Sequence, residues 1–204
     1  MTRRRARTIR IGDSMPTSTR AILALCACLA TLCAWARESY SIDPGHTHPS
    51  YEISHFGWST QRGRFDRVTG SIVLDRDAKT GSVEVTVDAS SISTGVDRLD
   101  QHLKSADFFD VASYPSITFK AASITFVGDV PASVPGAITI RAVTRPANLT
   151  ITHFACGPHP IFKRYVCGAE ASTVIKRSEF GMTKYLPALG DEVKLLINVE
   201  ALKD

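Results

Sequence analysis

Apolar and polar residues alternate along most of the chain from Tyr40 onward. Tyr51, Ile53 and His55 alternate with Glu52 and Ser54, and Val83, Val85, Val87 and Ala89 with Glu84, Thr86 and Asp88. A period of two predicts strands with one face buried. Ser71–Asp75, Ile117–Phe119, Ala137–Val143, Ala147–Phe154, Tyr165–Ile175 and Val193–Val199 bring the set to about eight strands. Asp77–Gly81 reads as a turn and Val130–Gly136 as a loop. Ile117-Thr-Phe119 and Ile124-Thr-Phe126 have opposite parity, which predicts a bulge or bend near Ala121 and Ala122. The last strand ends almost at the C-terminus, where it can pair with the first and close the sheet.

The alternation breaks once, between Arg98 and Phe119. Val96, Leu99 and Leu103 fall at i, i+3 and i+7, the spacing of one helix face. Asp97 is placed to cap the start, and Pro115 stops a helix and pushes Tyr114 toward extended geometry. A short helix and a Phe108-Phe109 turn therefore interrupt the strands. Two readings are open: a lid over an apolar interior, or a crossover helix packed on a sheet. Eight strands and one helix predict an all-β antiparallel barrel or sandwich. Eight strands enclose an interior that side chains fill or that holds one slender ligand. Val, Ile, Leu, Ala and Thr dominate the inward positions, which favours some empty volume.

The first 36 residues read as a leader, not as part of this domain. Six arginines between Arg3 and Arg20 precede the uncharged apolar run Ala21–Leu32, and Ala34-Trp-Ala36 supplies small residues for cleavage after Ala36. The run is too short for a stable membrane span, and Met15 is an alternative start. The domain is then 37–204, exported, with no membrane span in the mature chain. Removing the leader changes the charge. The whole chain has 24 basic and 20 acidic residues, formally +4. The leader takes six Arg and one Asp, leaving 18 and 19, a net of −1. A nucleic-acid partner loses its support. Cys26, Cys28 and Cys33 leave too. Cys156 and Cys167 remain, around a Pro158-His-Pro160 turn that would set them opposite each other in a hairpin. A disulfide and two free buried thiols are the alternatives.

Six histidines invite a metal or catalytic reading, but no convergent set of three ligands is evident, and no metal site is assigned. There is no Gly-x-Ser-x-Gly elbow, Ser-x-x-Lys, dinucleotide or Walker motif, so no catalytic residue and no cofactor is assigned. Arg62, Arg64 and Arg67 around Phe65 read as a solvated strand face.

Tyr40-Ser-Ile-Asp-Pro-Gly-His46, His55-Phe-Gly, Gly63-Arg-Phe65, the segment Arg98–Phe119, Val143-Thr-Arg-Pro146 and the closing Val193–Glu200 together resemble the YceI-like, polyisoprenoid-binding family. The resemblance covers essentially the whole mature chain in order. Pro49 departs from the β-branched residue many members carry, which predicts an edge or bulge there. The resemblance implies a lipocalin-like extended eight-stranded barrel around an elongated apolar channel for an isoprenoid chain, a polyprenyl phosphate or a quinone. Tyr51, Ile53, Ile72, Val85, Phe119, Leu149, Ile151, Leu195 and Ile197 are expected to line it, with Phe108 and Phe109 covering one end. Arg98 and His102, one helical turn apart, are expected to meet the head group, with His46 and His55 as second choices. The partner is thus an amphiphilic isoprenoid, and a homodimer is left open. Two other classes compete: a histidine- or metal-dependent periplasmic enzyme, and a ligand-free stress-protective protein with a filled core.

Overall fold

A computed structural model describes residues 37–161 and 163–204. The leader expected over 1–36 lies outside the described residues. Among them are twelve strands: β1 (Glu38–Ile42), β2 (Ser50–His55), β3 (Ser59–Phe65), β4 (Val68–Asp75), β5 (Thr80–Asp88), β6 (Ile92–Ser93), β7 (Ser116–Ala121), β8 (Thr125–Val127), β9 (Val130–Ile140), β10 (Val143–Pro158), β11 (Tyr165–Lys176) and β12 (Leu189–Lys203). The helix α1 (Asp97–Lys104) lies between β6 and β7.

Eight strands close an antiparallel barrel in the order β1-β4-β5-β7-β9-β10-β11-β12, with β12 pairing back to β1. The length of β12 makes the closure possible. Its fifteen residues hold two partners along one edge: Val193–Leu196 face β2, and Ala201–Lys203 face β1. The chain leaves the edge between β1 and β2, and Pro49 sits in that gap, where its missing N–H costs no ladder bond. The β2–β3 hairpin then extends the wall at one end.

The two ends differ. At the first stand α1, the β2–β3 turn and residues 177–189. Phe56 N–H donates to Ala188 O at 2.9 Å, and Lys184 pairs with Asp107 at 3.3 Å. At the second, Asp204 N–H donates to Ser39 O at 3.0 Å and Arg164 Nη2 to Lys203 O at 2.6 Å. Cys156 and Cys167 pair across β10 and β11 near this end, with Cα atoms 4.1 Å apart, and form a disulfide. Tyr40, Leu74, Ile124 and Val134 are buried here and close the barrel.

Two local readings are corrected, and the bend expected near Ala121 and Ala122 is present. Asp97 does not cap α1: Val96 is the cap residue, with no side-chain bond. Asp100 anchors the helix start instead, accepting from Thr94 N–H at 2.8 Å and from Thr94 Oγ1 at 2.6 Å. Residues Val130–Gly136 are strand, not loop. Pro135 is tolerated because that stretch of β9 faces the gap between β7 and β8, where no partner needs its N–H. The break at Ala121 separates β7 from β8 outright. The Arg face is as expected: Arg62, Arg64 and Arg67 are exposed and pair with Glu52, Asp66 and Asp88.

Candidate functional site

Inward side chains do not fill the barrel. A cavity of about 680 Å³ runs through it, within the range that holds small-molecule ligands. Its origin is legible along β11, whose cavity-lining positions Cys167, Ala169, Ala171 and Thr173 carry small side chains. Larger residues project from the other strands: Tyr51 and Ile53 from β2, Ile72 from β4, Val85 from β5, Phe119 from β7, Leu149 and Ile151 from β10, Leu195 and Ile197 from β12. Phe119 packs against both buried clusters, so it spans the two halves of the interior. Its ring lies where a Cβ on Gly136 would be, 2.6 Å from that position, so only glycine fits on β9 there.

The helix end is the mouth. Leu99, His102 and Leu103 of α1 line the cavity, while no residue of α1 is buried. The helix therefore acts as a lid rather than as a core element. Phe108 is buried beneath it and Phe109 stacks edge-on against Phe65 at 5.5 Å. The His102 ring packs on Phe108 at 4.9 Å and faces Tyr185 at 6.1 Å. His55 and Gln61 from the β2–β3 hairpin and Thr94 add polar groups at this end.

Tyr51 is the polar group set within the apolar wall. Its ring lies across Gly63, its cross-strand partner, where a Cβ would meet the hydroxyl at 2.5 Å. The phenol lines the cavity, and among the described residues its hydroxyl makes no hydrogen bond. Burial, with a smaller contribution from Asp100, pushes its pKa up to about 12, so it stays a neutral donor. The hydroxyl is open to the cavity, where a carbonyl or phosphate oxygen would accept its hydrogen bond.

The four expected head-group residues separate. His102 and His55 line the cavity; Arg98 and His46 do not. Arg98 is exposed on α1, because the face of Leu99, His102 and Leu103 is the one turned inward. His46 lies on the outer surface, where Nδ1 contacts Asp43 Oδ2 at 2.7 Å. Asp43 also accepts from Gly45 N–H at 2.9 Å. With Glu200 nearby, the three carry possible ligand atoms within 4.8 Å of one another, but the observed bonds close the turn between β1 and β2.

Sequence reasoning missed Tyr185, Met182, Gln61 and Thr94. Tyr185 and Met182 lie on an irregular segment with no periodicity to assign a face. That segment is held by Arg177, 3% exposed, which donates to the carbonyls of Met182 at 2.6 Å, Gly190 at 2.7 Å and Leu189 at 3.0 Å. A buried arginine satisfied by three carbonyls fixes one wall of the mouth.

A barrel of this topology and an apolar interior invite comparison with known proteins. The model of the YceI-like domain matches residues 40–201. The chain belongs to the YceI-like family. Within that family it is 32% identical over 192 residues to a "UPF0312 protein" of Pseudomonas aeruginosa, covering 93% of this chain and 100% of that one. It is 31% identical over 182 residues to "Protein YceI" of Salmonella arizonae, covering 88% and 94%. Among solved structures, Burkholderia cenocepacia BcnA superposes with a TM-score of 0.66 at 21% identity, over 78% of this chain and 98% of that one. A polyisoprenoid binding domain from Saccharophagus degradans gives 0.62 at 16% identity, over 82% and 99%. At these identities the two structures establish the YceI-like fold.

Proposed function

We propose that this YceI-like chain is a non-catalytic periplasmic carrier that holds an amphiphilic isoprenoid lipid, of polyprenyl phosphate or quinone type, inside its barrel. The observation that carries the reading is the apolar cavity of about 680 Å³, open at the helix end and closed at the other. Ten buried methylene-sized units favour binding by roughly 8 kcal/mol before ordering costs, so a tail alone supplies useful affinity. The polar head then sits at the mouth, within reach of His102, His55 and the Tyr51 hydroxyl. The Saccharophagus degradans domain, described as polyisoprenoid-binding, has the same fold and supports the ligand class.

In this reading the leader is removed after Ala36, so that the mature chain begins at Arg37. N-terminal sequencing of protein recovered from the periplasm tests this, and an intact leader rejects it. Solvent extraction of the same protein followed by mass spectrometry tests the ligand. A prenylated species in near-equimolar amount is expected. Protein that yields none, and binds none when offered a prenyl quinone or polyprenyl phosphate, returns the ligand-free reading to first place.

A further inference from the structure

The mouth carries a feature that ligand binding does not need. The turn between β2 and β3 projects two aromatic rings, Phe56 and Trp58, stacked at 5.3 Å. Trp58 is 84% exposed and does not line the cavity; Phe56 is half exposed and does. The turn is rigid. Phe56 and Gly57 both hold positive φ, at 54° and 73°, Trp58 N–H donates to His55 O at 3.0 Å, and Phe56 N–H is tied to Ala188 O. Positive φ at both central positions is what a two-residue hairpin turn requires, and the turn leaves the two apolar rings facing water. Leu99 and Tyr185, also exposed, stand on the same mouth.

We propose that the Phe56–Trp58 turn docks the mouth of the barrel on the surface of a lipid bilayer. This rests on the lipid-carrier reading, and three observations choose the occupant. A projecting convex turn enters a fluid interface more readily than it matches a second folded surface. Tryptophan and tyrosine, with an apolar body and a polar edge, are the side chains that favour the membrane–water boundary. The basic residues beside the turn are already paired, Arg62 with Glu52 and Lys184 with Asp107, so insertion of apolar rings and not attraction to a charged partner carries the contact. Docking there brings the opening against the phase in which a prenyl tail dissolves, and the tail passes between bilayer and barrel without crossing water.

The chain has two tryptophans, and Trp35 precedes the described residues. Protein expressed from a gene carrying Trp35→Phe therefore reports Trp58 alone, whether or not the leader is removed. Mixed with phosphatidylethanolamine–phosphatidylglycerol vesicles, its emission is expected to shift to the blue and to be quenched by brominated acyl chains. Trp58→Ala is expected to weaken co-sedimentation with these vesicles about tenfold, the order expected for one large apolar ring. Binding of a fluorescent prenyl analogue in vesicle-free solution tests the carrier reading separately. Loss of that binding rejects the carrier reading even where Trp58 still meets vesicles. Unchanged Trp58 emission with vesicles, equal sedimentation of Trp58→Ala, or a blue shift that follows protein concentration without vesicles, as in self-association, each overturns the docking proposal.

Discussion

Two tryptophan substitutions at different depths turn the cavity into a ruler. Leu195, opposite Tyr51 on β12, packs with the side chains of the helix end; Ile151 on β10 packs with those of the closed end. Leu195→Trp puts an indole across the channel near the mouth, and every tail that must pass it loses the space beyond. Ile151→Trp fills only the deep half. A tail that gives up four methylene-sized contacts loses about 3 kcal/mol, on the order of a hundredfold in Kd. Leu195→Trp is therefore expected to weaken short and long prenyl chains alike by about that factor. Ile151→Trp is expected to leave the shortest tails within severalfold of wild type and to penalise the long ones. Both rings enter empty volume, so overpacking strain is small and the melting temperature stays near that of wild type or rises. Titration of a series of prenyl alcohols of increasing length, with thermal unfolding as a control for folding, gives the comparison. Two folded variants with the same length dependence as wild type would show that the tail does not lie along this channel.

Three further outcomes follow from individual residues. Tyr51→Phe removes a hydroxyl with no hydrogen-bond partner among the described residues, so the empty fold should be as stable as wild type, while affinity for a ligand with a carbonyl or phosphate falls by about 1 kcal/mol, roughly fivefold, by calorimetry; identical affinities would remove Tyr51 from the head-group site. Replacing Cys156 and Cys167 together by Ala should lower stability by about 3 kcal/mol in urea unfolding, because a loop of this length no longer restricts the unfolded chain; a loss below about 1 kcal/mol would contradict it. The hydrogen bond to Asp43 raises His46 above its ordinary 6.5 and lowers Asp43 below its ordinary 3.8. The stabilising effect on His46 is complete below pH 6.5 and fades as pH rises through its raised value, and that on Asp43 is complete above pH 3.8 and is lost as pH falls through its lowered value. In Asp43→Asn the His46 ring, followed by NMR, should titrate lower than in wild type, and an unmoved midpoint would refute the pairing.

The shell of this molecule was more legible than its mouth, and the reason is physical. Val83 to Ala89 show their parity because one face of β5 meets the interior and the other meets water. The same parity picked out Tyr51, Ile53, Leu195 and Ile197 as inward residues. Pairing of Cys156 with Cys167 followed from the turn between them. The mouth is built differently. Tyr185 and Met182 hang on a segment whose shape is set by Arg177, just after β11, reaching forward to the carbonyls of Met182, Leu189 and Gly190, bonds that no periodic pattern announces. Arg98 was misplaced because an i, i+4 pair shares a helix face only approximately. The inward stripe through Leu99, His102 and Leu103 leaves Arg98 on its outer border. Val130–Gly136 looked like a loop because two prolines argue against a strand; Pro135 falls in the gap between β7 and β8, and Pro131 sits opposite Phe126 beside a shift in the β8–β9 register.

A barrel with an unfilled interior must be held by its wall, and the ties are unevenly distributed. Near the closed end are the disulfide, the bond from Asp204 to Ser39, the reach of Arg164 to Lys203 and the pairing of Lys203 with Glu38. Tyr40, 1% exposed, adds its hydroxyl to Glu38 there. The mouth is tied by Arg177, by the bond from Phe56 to Ala188, by the Lys184–Asp107 pair and by buried Phe65, Phe180 and Met182; the short helix, none of whose residues is buried, is its loosest part. Regions with few buried apolar contacts open at lower free energy than the rest of a fold. The disulfide at one end, with a helix that buries none of its residues and exposed rings at the other, gives the cavity a direction. The small residues of β11 keep the space between them open. A filled core would need neither the asymmetry nor the row of Ala169, Ala171 and Thr173 in the middle of a wall.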